Sequence, residues 1–183
     1  MRYIALLRGI NVGTSGRIRM NALKALMEQA GFSRVETYIQ SGNVVLDSDL
    51  PEAAVKDAIE IALKNGANIS TTAVLRTAEE LHALLRGCPF SPERIERAQA
   101  VNTEGESFFV CLLPQEPDVQ QREKLYKLEP SDDGYVLVGR DIYLLVSQSI
   151  RLSKLAIRLQ KIFPEMTNRN WNTIRKLDDL SLL

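Results

Sequence analysis

The segment Gly9-Ile10-Asn11-Val12-Gly13-Thr14-Ser15-Gly16-Arg17, entered through Arg8, holds three glycines, one asparagine and two flanking arginines. Residues of these types can do anion chemistry. Glycine lets backbone N–H groups approach a ligand closely, and guanidinium forks supply charge with paired hydrogen bonds. The segment is not a P-loop, which would end in Gly-Lys-Ser/Thr. Its glycines are spaced four then three apart, so it is not the dinucleotide fingerprint either. It is long for a strand-to-helix connection, where about two to six residues suffice. A conformational need for positive φ is the competing reading of the same glycines.

Two further stretches carry polar groups of the same kind. Gln40-Ser41-Gly42-Asn43 has the composition of a hairpin turn, which alone accounts for Gly42 and Asn43. Arg169-Asn170-Trp171-Asn172-Thr173 opens a helix, where free N–H groups favour an anion, and contains the only tryptophan. Residues 1–27 hold Arg2, Arg8, Arg17, Arg19 and Lys24 without an acid. Residues 142–177 hold Arg151, Lys154, Arg158, Lys161, Arg169, Arg175 and Lys176 against Glu165. The candidate ligand-binding set is therefore Arg8, Gly9, Asn11, Gly13, Arg17, Ser41, Asn43, Arg169, Asn170 and Trp171. The expected ligand is a phosphorylated or otherwise anionic small molecule, a nucleotide included, held between the two halves of the chain. A structural staple made of the same polar residues, a protein–protein module, and a small enzyme acting on an anionic metabolite are the competing readings.

Other chemistry has little material. His82 is the only histidine, so a Ser-His-Asp set or a histidine metal cluster has almost nothing to build on. Cys88 and Cys111 are isolated and read as small buried thiols. Asp47, Asp49, Asp132 and Asp133 sit at strand ends or turns, where carboxylates are routine. No cofactor and no metal are implied. Lys+Arg and Asp+Glu both number 23, which excludes a global polycation or polyanion mechanism. Aromatics at 6% and strands without a stacked-aromatic signature leave nucleic acid the weaker partner. Met1–Arg8 is too short an apolar run for a signal peptide, and no run reaches the ~20 residues of a membrane span. A reduced, cytoplasmic protein is expected.

The elements that must position these residues follow from periodicity and punctuation. Arg2–Arg8 reads as a strand with apolar residues on both faces, hence central in its sheet. Asn21 is the expected N-cap of a helix carrying Leu23, Leu26, Met27 and Ala30, with Gly31 at its C′ position. Val35–Gln40 and Val44–Asp47 form a hairpin. Pro51 opens a helix ending near Asn65-Gly66, and Ile69–Arg76 is a strand. Thr77 and Glu80 have capping-box spacing for a helix that stops at Gly87. The second half repeats the order, with strands at Ser107–Leu113, Tyr135–Val138, Ile142–Ser147 and Met166–Arg169. Its helices are Asp118–Leu128, one capped by Ser153, and a last one capped by Asn170.

Each half thus reads β-α-β-β-α-β-α. The expected fold is α+β, with two ferredoxin-like units (βαββαβ plus a C-terminal helix) whose antiparallel sheets carry helices on one face. The expected domains are 1–88, a linker at 89–105 marked by Pro89, Pro92 and Gly105, and 106–183.

Three stretches carry a family resemblance: Ala5-Leu6-Leu7-Arg8-Gly9-Ile10-Asn11-Val12-Gly13, Tyr38-Ile39-Gln40-Ser41-Gly42-Asn43-Val44-Val45 and Arg169-Asn170-Trp171-Asn172-Thr173. They resemble the signature stretches of a bacterial family, the domain of unknown function numbered 1697, over essentially the whole chain. Thr14 stands where the family usually has a second glycine. Arg151-Leu152-Ser153-Lys154 stands where Gly-Arg-Ser-Lys is common. The resemblance implies paired ferredoxin-like halves and no particular activity, ligand or catalytic residue.

Overall fold

The computed structural model describes residues 1–14, 16–128 and 133–183. They form two compact units, one of Met1–Ala83 with Arg175–Leu183 and one of Leu84–Ile174.

In unit 1, β1 (Arg2–Leu7), β2 (Ser33–Tyr38), β3 (Asn43–Asp47) and β4 (Ala73–Thr77) form an antiparallel sheet in the order β2-β3-β1-β4. β1 is central, as its two apolar faces require: Ile4 is level with Val45 on one side and Arg76 on the other. Tyr3, Ala5 and Leu7 pack against α1 (Met20–Gln29) and α2 (Glu52–Ala67) through Leu23, Met27, Val55, Ile59 and Leu63. Burial of each such side chain stabilises the fold by about 1.5–3 kcal/mol. Ile4 and Leu6, on the opposite face, are buried too.

The Thr77/Glu80 capping box forms as expected and opens α3 (Ala78–Arg86). The Thr77 N–H donates to Glu80 Oε2 (2.8 Å) and the Glu80 N–H to Thr77 Oγ1 (3.1 Å). The start of α1 differs from expectation. Arg19, not Asn21, is its N-cap, and no side chain caps it. The side chain of Asn11 holds Ile18 through both its N–H and its carbonyl, so the chain is fixed just before the helix begins.

Unit 2 repeats the sheet with β5 (Phe108–Leu112), β6 (Gly134–Val138), β7 (Asp141–Leu145) and β8 (Thr167–Asn170), in the order β6-β7-β5-β8, all antiparallel. The helices on its core are α5 (Val119–Tyr126), where Asp118 is the N-cap rather than the first helical residue, and α6 (Lys154–Ile162), capped by Ser153 as expected. Cys111, Leu125, Leu144, Leu155, Leu159 and Phe163 form their common core. The fold is thus α+β with two ferredoxin-like units.

The expected linker at 89–105 holds a helix, α4 (Pro92–Val101), which falls within unit 2. Pro92 reads as a breaker but occupies the first helical turn, where a missing N–H costs nothing, and the Ser91 hydroxyl accepts from the Arg94 N–H (3.3 Å). None of its residues is buried, so it has no apolar stripe to betray it. The last helix, α7 (Trp171–Ser181), also departs from the expected division at 106–183, because its residues from Arg175 onward fall with unit 1. There Arg2 Nη2 donates to the Leu180 carbonyl (3.2 Å), and His82 Nδ1 lies 3.1 Å from Asp178 Oδ2.

Candidate anion-binding site

β1 ends at Leu7, and the chain that follows is gripped from both sides. The Leu7 N–H donates to the Gly42 carbonyl (2.8 Å) in the β2–β3 turn. The Arg8 N–H donates to the Thr72 carbonyl (3.0 Å), and the Thr71 hydroxyl donates to the Arg8 carbonyl (2.7 Å). The glycine loop is then closed by Asn11, whose N–H donates to the Gly16 carbonyl (2.9 Å). The Asn11 amide donates to the carbonyls of Ile18 (3.0 Å) and Gln40 (2.8 Å), while its Oδ1 accepts from the Ile18 N–H (2.9 Å). One side chain therefore ties the loop to the helix start and to the neighbouring hairpin.

Gly9, Gly13, Gly16 and Asn11 all have positive φ, so the loop does have the conformational requirement its glycines suggest. At Gly16 there is a second reason. A Cβ there would lie 2.7 Å from the Gly9 carbonyl oxygen. Gly42 is likewise doubly constrained, with φ +74° and the Ile10 and Leu7 side chains within 3.0 Å of any Cβ.

Between the Arg8 end of β1 and the segment leading into β4 lies a cleft of about 580 Å³, lined by Arg8, Gly9, Gly16, Asn68, Ile69, Ser70, Thr71 and Thr72. That size suits a small molecule. The Arg8 guanidinium is exposed and makes no hydrogen bond or ion pair among the described residues. Ser70 and Thr72, both hydroxyl residues, belong to the same lining, which contains no carboxylate.

The remaining expected residues have other occupations. Arg17 folds back on its own loop, with Nε and Nη2 donating to the Gly13 carbonyl (3.2 and 3.1 Å). Asn43 is fully buried, and its amide donates to the Tyr38 carbonyl (3.0 Å) and the Ser41 hydroxyl (2.9 Å), shaping the turn. Three members belong to unit 2. Arg169 is buried on β8, with Nη1 donating to Thr167 Oγ1 (2.8 Å) and the Asn168 carbonyl (2.7 Å), and burial pulls its pKa down to about 10. Asn170 caps α7 by accepting from the Thr173 N–H (2.8 Å). Trp171 is stacked on Phe108 at 4.4 Å between ring centres.

Of the expected set, Arg8 and Gly9 line the cleft, while Asn11, Gly13, Arg17, Ser41 and Asn43 shape the loops around it. Sequence reasoning missed the opposite wall, Asn68–Thr72, by extending the following strand back to Ile69. A run of three hydroxyl residues without apolar alternation, Ser70-Thr71-Thr72, was the available signal. Among the described residues no group of three or more metal-ligating side chains exists. Asp47 is held by Arg2 (3.2 Å) and Arg34 (3.1 Å), and Asp133 accepts from the N–H and hydroxyl of Ser147 and from the Ser153 hydroxyl. Asp132 and Ser15 lie outside the described residues. No helix among the described residues is long and apolar enough to cross a membrane.

Fold and site together define a duplicated ferredoxin-like α+β protein with a glycine loop at the end of its first strand. The chain belongs to the family described as Protein of unknown function (DUF1697), whose model matches residues 1–143 and so includes both the glycine loop and the Tyr38–Val45 hairpin stretch. It is similar in structure to the conserved bacterial protein SP0830 from Streptococcus pneumoniae, with a TM-score of 0.79 and 24% identity over 100% of this chain and 98% of that one. Comparison with curated proteins gives no match.

Proposed function

We propose that unit 1 binds a small phosphorylated or otherwise anionic molecule, a nucleotide included, in the cleft beside Arg8. The carrying observation is the exposed Arg8 guanidinium, which has no protein partner among the described residues and stands at the edge of a cleft of about 580 Å³. Its backbone is fixed by the Thr72 and Thr71 hydrogen bonds, so the charge projects from a rigid strand end rather than from a free loop. A fork of guanidinium donors supplies charge and the hydroxyls of Ser70 and Thr72 supply orientation. A lining without carboxylates favours binding over acid–base chemistry, because no general base faces the ligand. Calorimetric titration with inorganic phosphate, pyrophosphate and AMP tests this. At least one should bind the wild type, and Arg8→Ala should lose at least about tenfold in affinity with its melting temperature unchanged. Equal binding by wild type and Arg8→Ala, or no binding of any of the three at millimolar concentration, overturns the proposal.

A further inference from the structure

The two sheets end in four edge strands, and three of them are protected. β2 carries Arg34 and Glu36 and a register shift between Ser33 and Glu36, with Arg34 at φ +47°. Such a bulge bends an edge away from incoming strands. On β4, Ala73, Val74, Leu75 and Arg76 are buried. β8 is four residues long and polar throughout, Thr-Asn-Arg-Asn. β6 has none of these devices. Its sequence Gly-Tyr-Val-Leu-Val contains no charge and no proline, and its pairing with β7 runs without a break from Gly134–Leu145 to Val138–Asp141. Its outer side has no strand partner among the described residues.

The surroundings of β6 say what would fit there. Tyr135 and Leu137 pack on the unit 2 core, so Gly134, Val136 and Val138 face the other side of the sheet. Val138 is 49% exposed, and Tyr126, beside Tyr135, is 69% exposed. At the Gly134 end a cleft of about 540 Å³ is lined by Arg94, Arg97, Val101 and Gln148 among others. The Arg94 guanidinium is held 4.7 Å over the Phe90 ring and lies so close to Gly134 that a Cβ there would come within 2.7 Å of Nη2. Neither Arg94 nor Arg97 has an ion-pair partner among the described residues. An unblunted apolar edge thus ends at two uncompensated positive charges.

We propose that β6 is a docking edge that takes an extended segment of another protein as a fifth, antiparallel strand of the unit 2 sheet, with acidic residues at the segment's C-terminal end beside Arg94 and Arg97. Backbone hydrogen bonds to the open side of β6 supply the affinity, and the two guanidinium groups supply direction and preference for acid. Every pairing in this sheet is antiparallel, and a segment added in that sense has its C-terminal end level with Gly134.

The probe is a capped heptapeptide of alternating valine and threonine ending in two glutamates, with a control ending in two lysines. Bound glutamate peptide should slow amide hydrogen exchange at the outward N–H groups of 134–138 by about tenfold or more, and the lysine peptide should not. Arg97→Glu, on an exposed helix surface, should reverse the preference. Val138→Lys should abolish binding of both while α4 stays intact. Exchange in β6 unaltered by millimolar glutamate peptide, equal slowing by the two peptides, or slowing that tracks protein concentration without peptide each overturns the proposal, the last by making a second copy of the chain the occupant.

Discussion

Arg76 and Arg169 occupy the same place in their respective sheets. Arg76 on β4 is level with Ile4 of the central strand β1, and Arg169 on β8 is level with Val110 of the central strand β5. Both are buried, both lie on the face away from the core helices of their unit, and each donates from Nη1 to the carbonyl of the residue before it, Leu75 (2.6 Å) and Asn168 (2.7 Å). No residue-level repeat links the two halves in sequence. The shared register of a buried arginine is what remains of the correspondence between them.

A buried arginine of this kind is expected to be structural. Arg169→Ala leaves the Thr167 hydroxyl and the Asn168 carbonyl without their donor and opens a void, so unfolding in urea should show a loss of about 2–4 kcal/mol. Arg169→Lys should recover little, because a single ammonium cannot reproduce a planar fork. A variant as stable as the wild type would return Arg169 to the list of residues free for a ligand.

Stability should fall in alkali through Cys111. The thiol is fully buried on β5, and burial raises its pKa from an ordinary 9 to about 12. Between those values the unfolded chain gives up the proton and the folded chain keeps it. The stabilisation is therefore complete below pH 9 and is lost as the pH rises toward 12, at up to about 1.4 kcal/mol per pH unit. Tyr143, whose buried hydroxyl donates to the Leu84 carbonyl, is shifted in the same direction and adds to the fall above pH 10. Urea midpoints measured from pH 8 to 10.5 should drop more steeply for the wild type than for Cys111→Ala. Parallel slopes would show that other groups govern the alkaline limb.

Most of this architecture was legible because its punctuation is chemical. The Thr77/Glu80 box, the caps at Ser153 and Asn170, and the apolar faces of β1 each follow from local rules that the packing did not override. The failures have equally local causes. α4 buries nothing, so no periodic stripe marks it. Residues 69–72 precede β4 and run as the wall of a cleft, because the Ile69 N–H donates to the Leu63 carbonyl at the end of α2 while Thr71 and Thr72 bond to Arg8. The site was half legible for the same reason. Arg8 and the glycine loop announce themselves by type, whereas the roles of Asn11 and Asn43 depend on carbonyls 29 and 5 residues away that only the folded chain supplies.

The two doubly constrained glycines should separate loop shape from overall stability. Gly42→Ala brings a Cβ to 2.8 Å from Ile10 Cβ and 3.0 Å from Leu7 Cβ at a positive φ, inside the core, and should cost about 2–4 kcal/mol. Gly16→Ala meets only the Gly9 carbonyl, on the exposed loop, and should cost about 1–2 kcal/mol while disturbing the cleft that both residues line. Thermal melts with and without phosphate distinguish them. Gly16→Ala should lose the ligand-induced rise in melting temperature, and an intact rise would show that the loop does not shape the cleft.

Ile39 is the sharpest conflict between a residue and its backbone. It follows β2 at φ +47°, a left-handed conformation that costs a residue with a Cβ about 1–2 kcal/mol, and its branched side chain fits there poorly. The surroundings enforce it. The carbonyls on either side, Tyr38 and Gln40, accept from the amides of Asn43 (3.0 Å) and Asn11 (2.8 Å), so the turn cannot relax without breaking both. The side chain recovers little of the cost, since it is 48% exposed. Asparagine tolerates left-handed φ and keeps the turn, at the loss of about 1 kcal/mol of remaining apolar burial. The two terms are of similar size, and relief of strain is the larger. Ile39→Asn should therefore raise stability in urea by a few tenths to about 1 kcal/mol. Because Ile39 does not line the Arg8 cleft, phosphate affinity should stay at the wild-type value. A loss of stability above about 1 kcal/mol would mean that the isoleucine contacts outweigh the strain, and a loss of affinity would extend the site across the hairpin.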